Sequence, residues 1–141
     1  MADRANNPTT PGPAWKAFED LARSKMSHHF NIALAEREIP GFPKRFDMVS
    51  EDRAVVGDAK FLTLVHKKRR PSAKFMEIAG HVWLLERLDA KTRFLVFGNQ
   101  RAVIELWLQR YGGLVQTVSF YFLAPDGTLD RLVHPLQGAS A

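Results

Sequence analysis

Two aspartates and a lysine have the types and spacing to do chemistry. Asp47 lies in Phe46-Asp47-Met48-Val49, and Asp58 and Lys60 lie in Val55-Val56-Gly57-Asp58-Ala59-Lys60. Both segments are β-prone, and Ser50-Glu51-Asp52-Arg53 is a short polar break between them, so together they read as a hairpin. A hairpin centred between Asp52 and Arg53 sets Asp47 opposite Asp58. Directly opposed side chains on one face have Cβ atoms about 4.5–5.5 Å apart. Carboxylates that close repel, and both stay ionised only with a cation between them. Lys60, two residues after Asp58, projects from the same strand face. That surface offers two hard oxygen ligands beside an ammonium, which suits Mg²⁺ or Mn²⁺ better than zinc. Such an ion can engage a phosphodiester oxygen and acidify a bound water. Lys60 is then placed to orient or deprotonate that water, or to stabilise the pentavalent phosphate. The other reading of the same three residues is a cross-strand salt bridge on an exposed face.

The triplet alone is a cheap signal, because Asp89-Ala90-Lys91 repeats the same letters. That copy follows a helix without a β-prone run before it and reads as a solvated turn. Context separates the two, since only the Asp58 copy ends a Val-Val-Gly strand that faces an aspartate.

The elements that must position these residues follow from periodicity. Trp15, Phe18, Leu21 and Ala22 recur at helical spacing, predicting an amphipathic helix from Ala14 to about Met26. Phe30 to Ile39 alternates like a strand but has helical composition, so both states stay open until Pro40-Gly41 ends it. Strands are expected over Arg45–Val49 and Ala54–Leu64. Ser72–Leu88 is the clearest helix, with Phe75, Ile78, Ala79, Val82, Leu85 and Leu88 as its apolar stripe. A strand over Arg93–Phe97, a helix over Arg101–Tyr111 stopped by Gly112-Gly113, and a strand over Val115–Leu123 follow. Strands separated by helices predict an α/β fold with a helix-covered sheet. The strands flanking the Arg101 helix are expected to be parallel neighbours.

The bulk numbers set outer bounds. The chain has 141 residues, a net charge of +5 and no cysteine. One domain over residues 14–135 is expected, with a flexible tail over 1–13 and a short C-terminal tail over 136–141. Without cysteine there is no disulfide, thiolate zinc site or cysteine nucleophile, which fits a cytoplasmic protein. No apolar run approaches the roughly 18 residues of a membrane span, and no signal-peptide core opens the chain. The basic balance favours a polyanionic partner.

Asp47 on one strand, Val56-Gly57-Asp58-Ala59-Lys60 on the next, and then a helix together resemble the PD-(D/E)XK nuclease superfamily. Phe46 stands where the proline of that name would be. The resemblance covers about Ala14 to Leu123. It implies a restriction-endonuclease-like αβββαβ core, a mixed central sheet flanked by helices, and Mg²⁺- or Mn²⁺-dependent cleavage of DNA. It also implies a glutamate on the first helix that assists the metal. Glu19 matches that position, with Glu36 the competitor if its segment is helical. Asp47, Asp58 and Glu19 are then the implied ligands, and Lys60 completes the catalytic set. The resemblance also leaves open a catalytically silent nuclease-like domain that binds nucleic acid or serves in a larger assembly. A purely structural interaction domain is the third reading. A chain this small is expected to need a second copy to cut both strands of a duplex.

Lesser features fit around this frame. Lys67, Lys68, Arg69, Arg70 and Lys74 follow the Asp58 strand, either to hold a phosphate backbone or as a solvated loop. Glu77 and His81 lie one helical turn apart, either supporting the site or as surface polar residues. Arg101 with Asn99 reads as a phosphate site or, for Asn99, a helix cap. His28 and His29 diverge and do not share a ligand. Trp83 and Trp107 are expected in packing.

Overall fold

The computed structural model describes residues 13–63 and 72–132. The basic run Lys67–Arg70, residues 1–12 of the predicted N-terminal tail and everything after 132 lie outside the described residues.

The chain runs α1 (Ala14–Phe30), β1 (Leu34–Glu38), β2 (Arg45–Ser50), β3 (Val55–Leu62), α2 (Ser72–Glu86), β4 (Thr92–Asn99), α3 (Arg101–Tyr111), a 3₁₀ turn (Gly112–Leu114), β5 (Val118–Leu123) and β6 (Leu129–Leu132). The fold is α/β, with one open mixed sheet of six strands in the order β1-β2-β3-β4-β5-β6. β1, β2 and β3 form an antiparallel meander. β4 is parallel to β3, β5 is parallel to β4, and β6 returns antiparallel. Two successive crossovers between parallel strands, running the same way across the sheet, carry α2 and α3 on one face, and α1 covers the other. No helix among the described residues is long and apolar enough to cross a membrane.

Each face has its own apolar core. Phe18, Ala22 and Met26 of α1 pack on Met48, Ala59, Phe94 and Val96. Phe75, Ile78, Val82 and Leu85 of α2, with Ile104 and Trp107 of α3, pack on Val56, Leu95, Phe97 and Phe120. β4 is covered on both faces, which explains its unbroken buried run Phe94-Leu95-Val96-Phe97. The stripe on α1 is Phe18, Ala22 and Met26, at spacings of four. Trp15 and Leu21 are exposed instead.

The ambiguous segment divides at Asn31. Its φ of 55° is left-handed, and the N–H groups of Asn31 and Ile32 close on the carbonyls of His28 and Ser27. This backward closure ends α1 four residues later than predicted and frees Leu34–Glu38 to pair as β1. Two other expectations need correction. The last predicted strand begins at Val118 rather than Val115, because the chain leaves α3 through the 3₁₀ turn. β6 was not predicted, since Leu129-Asp130-Arg131-Leu132 carries no β-branched residue.

Candidate functional site

The site forms where β2 and β3 part. Met48 pairs with Gly57 and Val49 with Val56, a register centred between Asp52 and Arg53. One pair further on, side chains replace the main-chain ladder. Asp58 Oδ1 accepts the Asp47 N–H at 2.8 Å, and Asp47 Oδ2 accepts the Ala59 N–H at 2.9 Å. Each carboxylate is therefore anchored on the other's strand. Gly57 is required just before Asp58, because a Cβ there would lie 2.4 Å from the Phe94 ring.

A bulge in β2 aims Asp47. Ala35 pairs with Val49 and Arg37 with Phe46, so Asp47 and Met48 together face the single residue Glu36. Two residues against one bend the strand and redirect its side chains. The packing records the redirection. Phe46 and Val49, three residues apart, both enter the core under α2 and α3, while Met48 enters the core under α1. Arg23 of α1 donates to the Asp47 carbonyl at 3.2 Å and ties the bulge to the helix.

Asp58 is 1 % exposed. Its Oδ2 receives both the Lys44 ammonium and the His81 ring, whose Nδ1 lies at 3.0 Å. Lys44 follows Pro40-Gly41-Phe42-Pro43, where Gly41 turns at φ 88°. Its Nζ also sits 4.5 Å from the centre of the Phe46 ring. Lys60 Nζ pairs with Glu77 Oε2 at 2.7 Å, and Lys74 approaches the other Glu77 oxygen at 3.6 Å.

These pairs form a two-rung ladder between β3 and α2. Two strand residues advance about 6.6 Å and four helix residues about 6 Å. Asp58 and Lys60 can therefore meet His81 and Glu77 together. The order on the helix is reversed because α2 runs back across the sheet.

The two carboxyls titrate apart. Burial, then the charges of Asp58 and Glu19, push the Asp47 pKa up to about 6 against the Ala59 N–H and Lys44. Burial also opposes ionisation of Asp58. It is outweighed by the His81 hydrogen bond, the Lys44 ammonium and the Asp47 N–H, which hold that carboxyl below the usual carboxylate range. The Lys60 ammonium likewise holds Glu77 low.

Asp47 and Asp58 are thus brought together, while Lys60, two residues further along β3, pairs with Glu77, and Asp58 is not part of an exposed-face salt bridge. Glu19 lies on α1, partly covered and 4.0 Å from Lys16, and its charge is felt at Asp47. Glu36 is on β1 and exposed. Glu77 and His81 are the partners of Lys60 and Asp58, not independent surface residues. Sequence reasoning missed Lys44, whose one signal is its place three residues before Asp47. Lys74 touches Glu77 rather than standing free. Asn99 does not cap α3. With φ 81° it donates to the Leu62 carbonyl at 2.7 Å, tying β4 to β3. Arg101 is held by Asp130 and Glu105. Trp107 is buried and donates to the Phe75 carbonyl, whereas Trp83 is exposed under Arg87. Among the described residues, no group of three His, Asp or Glu side chains is arranged to hold a metal ion unaided. No family model, curated protein or solved structure matches the chain.

Proposed function

We propose that this chain is a metal-dependent nuclease of the PD-(D/E)XK kind, with a restriction-endonuclease-like core and DNA as substrate. The reciprocal anchoring of Asp47 and Asp58 across β2 and β3, with Lys60 two residues on, carries this reading. The element order α-β-β-β-α-β from Ala14 to Asn99 supports it.

The donor set fits a hard divalent ion. Mg²⁺ is commonly bound by one or two carboxylates, with water and substrate phosphate filling the remaining positions. Asp47 and Asp58 supply the two carboxylates, and Glu19 assists from α1. The neighbouring Asp58 and Glu19 charges, which after burial raise the Asp47 pKa, are ones a cation between the carboxylates would offset. When bound, the ion supplies Lewis-acid stabilisation of the phosphate and a more acidic water. Lys60, an ammonium held by Glu77, would donate a hydrogen bond that orients the attacking water or offsets charge on the phosphate. Lys74 extends the positive surface toward the phosphate backbone.

The test is cleavage of plasmid and single-stranded DNA with Mg²⁺ or Mn²⁺. Wild type is expected to cut, chelation to stop it, and Lys60→Ala to slow it about 10²- to 10⁴-fold. A second reading is favoured by the Lys44 and His81 contacts, which already satisfy Asp58 without an added ion. It is a silent nuclease-like domain that binds nucleic acid or serves in an assembly. Salt-sensitive DNA binding without metal-dependent cutting selects it. Neither binding nor cutting selects a structural role.

A further inference from the structure

We infer that Lys44 is a built-in competitor of the metal: its ammonium occupies Asp58 Oδ2 and must leave before a divalent ion can use that oxygen. This rests on the metal-site reading above and deepens it.

The geometry supplies the argument. A carboxylate oxygen has about two acceptor sites. Both sites on Asp58 Oδ2 are taken, by Lys44 Nζ and His81 Nδ1, while Oδ1 accepts one bond, from the Asp47 N–H. An ion arriving at Oδ2 therefore displaces one of the two. His81 is fixed on α2, and its ring can keep a hydrogen bond beside a metal. Lys44 carries a full positive charge and cannot share the oxygen with a second cation at contact distance. It is also the contact with a way out. Its side chain is 25 % exposed, close to the 20 % of His81, but its long stem leaves from the loop before β2 and not from a packed helix. In the metal-free protein the same contact prevents an uncompensated buried carboxylate.

One neighbouring unit charge changes the proton affinity of a carboxylate by about 10- to 1,000-fold. A competing ammonium acts on a divalent ion in the same direction. Mn²⁺ titrations of the full chain, read by the electron spin resonance of free Mn²⁺, are expected to show Lys44→Met binding at least about tenfold more tightly than wild type. Lys44→Arg, which keeps the charge, is expected to stay near wild type. Unchanged or weaker binding by Lys44→Met overturns the inference.

A second measurement needs no variant. Amine acylation of wild type, read by peptide mass spectrometry, is expected to rise at Lys44 on saturation with Mn²⁺, with exposed Lys91 as the unchanged control. Flat labelling of Lys44 while Mn²⁺ is bound overturns the inference, including where Lys44→Met fails to fold. If wild type cuts DNA with metal yet Lys44 labelling is flat, only this inference falls. If neither wild type nor Lys44→Met binds Mn²⁺, the metal-site reading falls with it.

Discussion

Two copies of the same three letters sit in one chain and meet different fates. Asp58-Ala59-Lys60 lies on an inner strand, flanked by β2 and β4 and covered by helices on both faces. Asp89-Ala90-Lys91 lies in the connection between α2 and β4, with Asp89 and Lys91 exposed. The inner aspartate has a lysine, a histidine and a backbone N–H on its carboxylate. The outer lysine does no more than add a distant pull on Asp52. Identity of residues therefore says little about chemistry. Burial strengthens every charge contact and makes each unpaired one costly, and only the inner copy is buried.

The largest expected break in this comparison is in stability. Asp58→Ala leaves Lys44 without its partner in a mostly covered site and is expected to cost about 3 kcal/mol. Asp89→Ala is expected to change stability by no more than about 0.5 kcal/mol. Urea unfolding of both variants checks this, and equal losses would sink the distinction. The next effect concerns the packing that admits the inner copy. Gly57→Ala drives a methyl into the Phe94 ring and is expected to cost about 1–3 kcal/mol. Gly80→Ala on α2, where the added methyl meets nothing, is expected to gain up to about 1 kcal/mol. Opposite shifts in melting temperature are the result to look for.

The smallest effect separates the two members of the inner pair. The folded-state pKa of Asp47, about 6, lies above its unfolded value near 4. The folded protein then holds the extra proton in between, so this group lowers stability as pH rises from about 4 to 6. Asp58, held low, does the opposite. Its stabilisation is present above about pH 4 and is lost as pH falls through its folded value. Asp47→Asn is expected to flatten the decline between pH 4 and 6 and keep the acid loss below it. Thermal melts across that range decide, and an unaltered slope would refute the assignment.

The legible parts of this site were those with local causes. The polar break at Ser50–Arg53 centres the hairpin, and that centre alone brings Asp47 to Asp58. The apolar stripe of α2 was readable because a helix repeats it every turn. What stayed hidden depends on a third element. The bulge at Asp47 exists only against β1, whose own state was ambiguous until Asn31 closed α1. Lys44 acquires its role through a buried carboxylate fourteen residues away. Glu77 and His81 were visible as a helical pair, but nothing local tells that β3 offers them a lysine and an aspartate at matching pitch.

That matching pitch also settles how α2 lies on the sheet. An apolar stripe such as Phe75, Ile78, Val82 and Leu85 looks nearly the same after sliding one turn, about 5.4 Å. Grease alone is thus an indifferent ruler. The polar rungs are not indifferent, because the same slide would set Leu85 against the Asp58 carboxylate and His81 against the Lys60 ammonium. Alternating acid and base along β3 and α2 acts as the teeth of a key, rejecting the neighbouring notch at which the oily surfaces would still fit.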